Sequence, residues 1–166
     1  NADVVITSGG VSVGEADFVK AMLDRLGEVV FWKIAMKPGR PLAYGRIRGA
    51  HFFGLPGNPV SVMVTFYQFV RDALLVLSGA DPVEPVPTFN ATCTARLKKA
   101  PGRTEFQRGI LSRGPDGALS VRPTGEQGSG ILKSMSEANC FIILGDATGN
   151  VEPGASVEVQ LLEGLV

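Results

Sequence analysis

The sequence predicts an α/β domain followed by a small all-β barrel domain, and three observations support this. Strand-like and helix-like segments alternate over the first half of the 166 residues, which is the pattern of an α/β sheet. A proline-rich stretch, ADPVEPVP, then indicates a linker. Beyond it we find only short strand-like runs between turn residues and no convincing helix. We therefore assign residues 1–80 to the α/β domain, 81–87 to the linker and 88–166 to the β-barrel domain.

In the first domain, the strands are short apolar runs that end in glycine, proline or charged residues. They are predicted over residues 4–6, 28–34, 42–47 and 51–55. Between them, apolar residues recur every four positions over 18–26, which predicts a helix with Gly27 at its end. The segment 37–41 is predicted as a loop, because its two prolines cannot donate ladder hydrogen bonds.

A second helix is predicted from the pair Asn58-Pro59, with asparagine as the N-cap and proline at the first helical position. It should run over residues 60–77 and be closed by Gly79. In the second domain, turn dipeptides such as Pro-Gly separate the strand candidates. These cover residues 88–97, 105–111, 119–122, 140–144 and 157–161.

Composition excludes several classes of protein. The formal net charge is zero, so we expect no nucleic-acid partner. Cys93 and Cys140 lie in apolar runs without CxxC spacing, which predicts two buried, reduced thiols. His51 is the only histidine, so the usual zinc clusters are excluded. We find no signal peptide and no apolar stretch long enough for a bilayer, so we expect a cytoplasmic protein with no membrane partner.

The start of the chain suggests a longer protein. There is no initiator Met, and Asn1-Ala2-Asp3 leads at once into an apolar strand. Such strands usually have neighbours on both sides. We therefore expect this chain to be the C-terminal part of something longer.

The turn after the first strand, TSGGVSVGEAD (residues 7–17), indicates anion binding. Glycines there leave backbone N–H groups unshielded in front of a helix N-terminus, which forms an anion-binding nest. The residues concerned are Ser8, Gly9, Gly10 and Ser12. The pattern is neither GxGxxG nor Walker A, so a merely tight turn is the alternative. Glu15 and Asp17 either favour the helix dipole, by about 0.3–1 kcal/mol, or hold a divalent cation such as Mg2+ beside a phosphate.

A cationic segment lies between Glu28 and Asp72, where there is no acidic residue. Its cations are Lys33, Lys37, Arg40, Arg46, Arg48 and Arg71. Lys33 and Lys37 lead from a strand end into a proline-stiffened loop, which loses less entropy when it orders around a ligand. A second strand-to-helix turn, GLPGNPVS, contributes Pro56, Gly57, Asn58, Pro59 and Ser61. Together these predict a site for phosphate or a small oxyanion; solvated surface cations and unrelated turns are the alternative.

Two polar, glycine-bearing segments stand out in the second domain, EFQRG (105–109) and TGEQGSG (124–130). Taken alone, each predicts a turn or an exposed strand end. No Ser-His-Asp or Cys-His constellation is compelling, because the one histidine has no acid nearby in the sequence.

Five segments in order, SGGVSVGEAD, FWKIAMKPGRP, GLPGNPVS, PGRTEFQRG and the GSG stretch, resemble the MoeA and gephyrin E-domain family of molybdopterin molybdenumtransferases. The resemblance covers essentially the whole chain. It implies a partial MogA-like three-layer domain followed by a C-terminal β-barrel. It also implies an enzyme that inserts molybdate into adenylylated molybdopterin with Mg2+ present, releasing AMP and giving molybdenum cofactor. The family's N-terminal half is missing here, so we expect this chain alone to bind anions with little turnover.

The resemblance also implies residue roles. Asp17 would be the functional acid and metal ligand, and Lys33 and Lys37 would face the anionic ligand as catalytic residues. The substrate-binding residues would be Ser8, Gly9, Gly10, Ser12, Glu15, Pro56, Gly57, Asn58, Pro59, Ser61, Arg108 and Ser129. The last two would reach the molybdate pocket from the β domain. In the family the site lies between the subunits of a homodimer.

Besides a stable but inert fragment, two alternatives stay open. One is a MogA-type molybdopterin adenylyltransferase, which is expected to lack the C-terminal β domain. The other is a non-enzymatic, gephyrin-like scaffold that binds receptor peptides.

Overall fold

The computed structural model describes residues 2–9, 25 and 27–162. The chain forms two compact units, Asn1–Ile34 with Pro38–Asp81, and Ala35–Lys37 with Pro82–Val166. Residues 35–37 thus belong to the second unit, although they lie inside the predicted first domain. The predicted helix over 18–26 lies outside the described residues, apart from Arg25.

Strands and helices are numbered here in chain order. The first unit contains β1 (Val4–Ser8), β2 (Gly27–Lys33), β4 (Pro41–Ile47), β5 (Ala50–Leu55), α1 (Pro59–Thr65), a π-helical segment (Phe66–Val70) and α2 (Arg71–Leu77). The second unit contains β3 (Met36–Lys37), β6 (Thr88–Cys93), β7 (Thr104–Arg113), β8 (Leu119–Pro123), α3 (Lys133–Glu137), β9 (Cys140–Leu144) and β10 (Ser156–Leu161).

The sheet of the first unit has the strand order β1-β5-β4-β2. β1 pairs in parallel with β5, whereas the β4–β5 and β2–β4 pairs are antiparallel. β1, β5 and β2 therefore point the same way, and their carboxyl ends lie at one edge of the sheet. Pro41 was predicted to lie in a loop, but it is the first residue of β4. A strand tolerates proline at its first position.

The second predicted helix is confirmed, from Pro59 to Leu77. Asn58 has the extended backbone of an N-cap, with φ −70° and ψ 128°, and Pro59 occupies the first turn. Gly79 follows the helix with φ +97°. The helix packs through Val70 against the apolar side chains of the sheet, which include Phe53.

By length and composition this 19-residue helix could also cross a membrane. The expectation that no apolar stretch is long enough was wrong by that criterion, because Arg71 and Asp72 are the only charged residues between Pro59 and Leu77. Buried helices of soluble proteins meet the same criterion, so it assigns no membrane role.

The second unit is a closed barrel of five strands. The order is β7-β8-β6-β10-β9, and β9 pairs again with β7. Closure leaves these strands without free edges. The barrel core contains Ala91, Cys93, Leu97, Val121, Cys140, Ile142, Leu144, Val157 and Val159. The predicted all-β barrel is confirmed.

Two details of the second unit differ from prediction. α3 is a helix where none was expected, and its five residues are too few to show a helical repeat in the sequence. The first predicted strand of this unit ends at Cys93 and does not continue to Leu97. Leu97 instead forms an isolated bridge with Val151.

Both cysteines are free and buried, as predicted. The Cys93 thiol donates a hydrogen bond to the Ala95 carbonyl at 2.7 Å. Burial raises the pKa of the Cys140 thiol to about 11, an effect that a hydrogen bond with the backbone of Leu111 partly opposes. Cys140 therefore remains protonated at neutral pH and serves as an apolar core residue.

Gly109 is required by the packing of β7 against β9. A Cβ atom there would lie 2.8 Å from Ile142 Cγ1 and 2.9 Å from Cys140 Sγ. We expect Gly109→Ala to lower the free energy of unfolding by about 1–3 kcal/mol, as overpacked cores do. Urea denaturation followed by circular dichroism measures this. Gly149→Ala is the matched control, since nothing lies within 4 Å of its Cβ position; equal effects of the two substitutions would contradict the packing argument.

Candidate functional site

In the first unit, the predicted site residues that the structure describes lie at the carboxyl edge of the sheet. β1 ends at Ser8, β5 at Leu55 and β2 at Lys33. Ser8 and Lys33 are exposed. Because β4 lies between β5 and β2, Lys33 is two strand spacings, about 10 Å, from the end of β5. Ligands of open α/β sheets bind at this kind of edge.

The two glycine-containing turns touch each other. Gly9 has φ +91°, and its N–H donates to the Leu55 carbonyl at 3.0 Å. A Cβ atom on Gly57 would lie 3.6 Å from Gly9 Cα, so these two glycines lie side by side. The described end of the first turn thus meets the second turn at one edge of the sheet.

The remaining residues of the second turn differ in exposure. Gly57, Asn58 and Pro59 are exposed, while Pro56 is buried. Ser61, expected to contact an oxyanion, is buried in the first turn of α1, where its carbonyl accepts a 2.7 Å hydrogen bond from Thr65 Oγ1. The predicted residues Gly10, Ser12, Glu15 and Asp17 lie outside the described residues.

Lys37 belongs to the second unit, where it lies on the two-residue strand β3 beside β7. Its Nζ forms an ion pair with Glu105 Oε1 at 3.2 Å. Glu105 is only 4% exposed, and its other oxygen accepts a 3.1 Å hydrogen bond from Gln107 Nε2. Lys37 is half exposed. The ion pair therefore fixes the position of the Lys37 ammonium group on the barrel. The sequence had predicted a loop at this residue.

Arg108 on β7 is a buried cation, 1% exposed, with neutral hydrogen-bond partners. Its Nε donates to Ser134 Oγ at 3.0 Å, and its Nη2 donates to the Gly128 carbonyl at 3.2 Å. In the described part of the chain no carboxylate forms an ion pair with it. Burial lowers the pKa of Arg108 to about 10, and the charge of Glu105 opposes this. At neutral pH the guanidinium keeps its charge, so a bound anion would stabilise it.

Gln127 holds the segment that contains Ser129 against β7. Its Oε1 accepts from the Arg108 N–H at 2.7 Å, and its Nε2 donates to the Arg108 carbonyl at 3.1 Å. The side-chain amide thus makes the two hydrogen bonds to the Arg108 backbone that a neighbouring strand would make. The sequence alone indicated no role for Gln127 or for Ser134. The only available indication was a polar residue between the glycines of TGEQGSG, which by itself specifies no partner.

The described residues do not form a metal site. In the ranges 2–9 and 27–162, and at Arg25, no group of three His, Cys, Asp or Glu side chains could hold a metal ion. Asp17, the predicted ligand of Mg2+, lies outside them. The Mg2+ expectation thus stays a prediction that depends on Asp17.

Replacing the buried charge of Arg108 tests whether the protein compensates it internally. We expect Arg108→Met to leave the free energy of unfolding within about 1 kcal/mol of wild type or to raise it, because it removes an unpaired buried cation. Urea denaturation at neutral pH measures this, with the exposed Arg122→Met as control. A loss of about 3 kcal/mol or more would instead indicate that the folded protein already pairs this charge.

Two family models match the chain. "Probable molybdopterin binding domain" matches residues 1–76, and "MoeA C-terminal region (domain IV)" matches residues 90–162. The first match covers the unit with the two glycine turns. The second covers most of the barrel, including β7 with Arg108.

Among curated proteins, the chain is 50% identical to the molybdopterin molybdenumtransferase of Haemophilus influenzae, over 96% of this chain and 39% of that protein. It is 33% identical to gephyrin of Dictyostelium discoideum, over 97% of this chain and 26% of gephyrin. The chain thus spans two fifths or less of these relatives.

Solved structures agree with these matches. The fold resembles a crystal structure of a molybdopterin biosynthesis MoeA protein of a Pyrococcus species with a TM-score of 0.76 and 31% identity, over 98% of this chain and 38% of that one. A second MoeA structure, from Pyrococcus horikoshii, gives a TM-score of 0.66 and 25% identity over 88% of this chain and 39% of that one. The chain belongs to the MoeA and gephyrin E-domain family and corresponds to the C-terminal part of its longer members.

Proposed function

We propose that this chain is the C-terminal part of a molybdopterin molybdenumtransferase, an enzyme of molybdenum cofactor biosynthesis. The enzyme inserts molybdate into adenylylated molybdopterin, which releases AMP and gives molybdenum cofactor. The observation that carries the proposal is the 50% identity, over 96% of this chain, to a protein of that name. Because the chain spans 39% of that relative, we assign the activity to the longer protein, a homodimer, and a share of its site to this chain.

The charges of the described residues suit these substrates. Molybdate carries two negative charges, and the adenylylated substrate contains a pyrophosphate group. We assign Arg108 and Lys37 to the neutralisation of this charge in the second unit, and Lys33 to its neutralisation in the first. Arg108 is the strongest of the three candidates, because its buried guanidinium has only neutral hydrogen-bond partners and electrostatic interactions strengthen when water is excluded.

The glycine turns suit the phosphate groups of the same substrate. Gly57 lies beside Gly9 at the carboxyl edge of the sheet, where the Gly9 N–H already donates to the Leu55 carbonyl, and Pro59 begins a helix at this edge. Helix N-termini and glycine turns bind phosphate through backbone N–H groups and the helix dipole. We assign Ser8, Gly9, Gly10 and Ser12 to one wall of the phosphate site. Pro56, Gly57, Asn58, Pro59 and Ser61 form the other.

The reaction divides into two bond changes. Water adds to phosphorus and the phosphoanhydride bond breaks, so AMP leaves and the second phosphate stays on molybdopterin. The two dithiolene sulfurs then bind molybdenum, and one molybdate oxygen leaves as water with the two thiol protons. Asp17, with Glu15 beside it in the sequence, would hold Mg2+ at the pyrophosphate end of the substrate, and Lys37, Arg108 and Ser129 hold molybdate. Mg2+, for which Asp17 is the proposed ligand, would neutralise phosphate oxygens when bound.

Two other functions have weaker support. A MogA-type adenylyltransferase would share the first unit, but it is expected to lack a barrel, and residues 90–162 match the MoeA C-terminal region. A peptide-binding scaffold is supported by the 33% identity to a gephyrin. A peptide-binding scaffold is not expected to bind Mg2+ or AMP. Binding of these ligands therefore distinguishes the enzyme from the scaffold.

Asp17 is the residue whose replacement tests the proposed chemistry most directly. We expect Asp17→Asn to abolish AMP release and to leave substrate binding largely intact, because the amide keeps the shape but not the charge. The assay uses a chimera in which this chain replaces the matching part of the Haemophilus influenzae relative, with AMP quantified by chromatography. The exposed Asp116→Asn is the control. Unchanged AMP release in Asp17→Asn would remove Asp17 from this role.

Thermal unfolding separates the enzyme from the scaffold. We expect Mg2+ with AMP to raise the melting temperature of the chain, by about 2–4 °C for each kcal/mol of binding energy. The Mg2+-dependent part of the shift should disappear in Asp17→Asn. No shift at millimolar ligand would favour the peptide-binding scaffold over the enzyme.

A further inference from the structure

A cavity of about 460 Å3 opens in the second unit beside the segment RLKKAPGR, residues 96–103. The charged side chains that line it are five cations and one carboxylate: Lys37, Arg96, Lys98, Lys99, Arg103 and Glu105. Its volume lies in the range of small-molecule sites. The cavity therefore combines room for a ligand with a large excess of positive charge.

Few of these charges are neutralised by the protein. Glu105 pairs with Lys37. Arg96 pairs with Glu152 at 3.1 Å, but the two side chains are 56% and 66% exposed, so this pair is weak. Lys98 and Arg103 form no side-chain hydrogen bond or ion pair with any residue that the structure describes. Two cations are thus free, and a third is loosely held.

The backbone that carries the free cations is held by a buried lysine between them. Lys99 is 6% exposed, and its Nζ donates to the carbonyls of Thr148, Ala100 and Asp146 at 2.8, 3.3 and 3.4 Å. An ammonium has three N–H donors, so all three are used. Lys99 therefore anchors the segment while its charge adds to the positive potential of the cavity.

Further hydrogen bonds fix both ends of the segment. Gln107 Nε2 donates to the Lys98 carbonyl at 2.9 Å. The Gly102 N–H donates to the Asp146 carbonyl at 2.8 Å, with Gly102 at φ +107°. A loop that is already ordered loses little entropy when a ligand binds. The backbone that carries the free cations is thus already ordered before a ligand binds.

We propose that this cavity is a binding site for a pyrophosphate group, with Lys98 and Arg103 as its main ligands. Two free cations and the loosely held Arg96 match a ligand with at least two adjacent negative groups. The arginine fork suits a bidentate contact to phosphate oxygens. The ligand is inorganic pyrophosphate or the diphosphate of a nucleotide, since both present the same group to the protein.

This inference goes beyond the function proposed above, in which Lys98 and Arg103 have no role. Lys37, which has a role in that function, lines the cavity, whereas Arg108 and Ser129 do not. The two hypotheses can still fail independently: AMP release reports on Asp17, and the loss of pyrophosphate binding on replacing Lys98 and Arg103 reports on the cavity.

Isothermal titration calorimetry of the whole chain with inorganic pyrophosphate, without Mg2+ and at about 0.15 M salt, tests the site. We expect saturable binding that weakens by at least about tenfold in the double variant Lys98→Gln/Arg103→Gln, because charge-assisted hydrogen bonds are lost. ADP should compete for the site. Inorganic phosphate should bind more weakly than pyrophosphate.

The matched control is Lys133→Gln/Arg122→Gln, which removes the same two charges from the same unit outside the cavity. We expect it to keep the wild-type affinity within about twofold, because neither side chain lines the cavity and salt weakens the effect of exposed charges that do not contact the ligand. An equal loss in both double variants would show non-specific attraction and overturn the proposal. Absence of saturable binding, or equal affinity for phosphate and pyrophosphate, would overturn it as well.

Discussion

The second unit depends on β7, because this strand is hydrogen-bonded to β8 on one side and to β9 on the other and so closes the barrel. All its residues from Glu105 to Gly109 are buried, and buried polar groups need partners inside the protein. Glu105 finds a cation and Gln107 finds a carbonyl. Among the described residues, the Arg108 side chain bonds only a hydroxyl and a carbonyl. β7 therefore carries one buried charge that no described carboxylate pairs.

The barrel presents positive charge in two settings. Neighbouring residues of a strand face opposite sides, so Arg108 lies on the other face of β7 from Glu105 and Gln107. A buried cation interacts strongly with the few anions that can reach it. The exposed pair Lys98 and Arg103 forms the proposed pyrophosphate site.

The features that the sequence predicted correctly depend on residues that are close together in the chain. Asn58-Pro59 marked a helix start because capping involves adjacent residues, and each strand appeared as an apolar run. The strand character of Lys37 was missed, since it depends on Glu105, 68 positions away. The partners of Arg108 were missed for the same reason: they exist only once α3 and the segment of Gln127 fold over β7. Residue types thus indicated an anion site, but not how each charge is held.

The π-helical segment Phe66–Val70, between α1 and α2, adds one residue to the helix without changing the face that it buries. Val60, Val64 and Thr65 are buried on one side of the helix, and the next buried residue is Val70. The step from 65 to 70 is one residue longer than the four-residue repeat of an α-helix. A homologue with one residue fewer between them would form an uninterrupted α-helix with the same buried face. The segment is therefore a place where evolution can insert or delete a single residue without rotating the helix on its sheet.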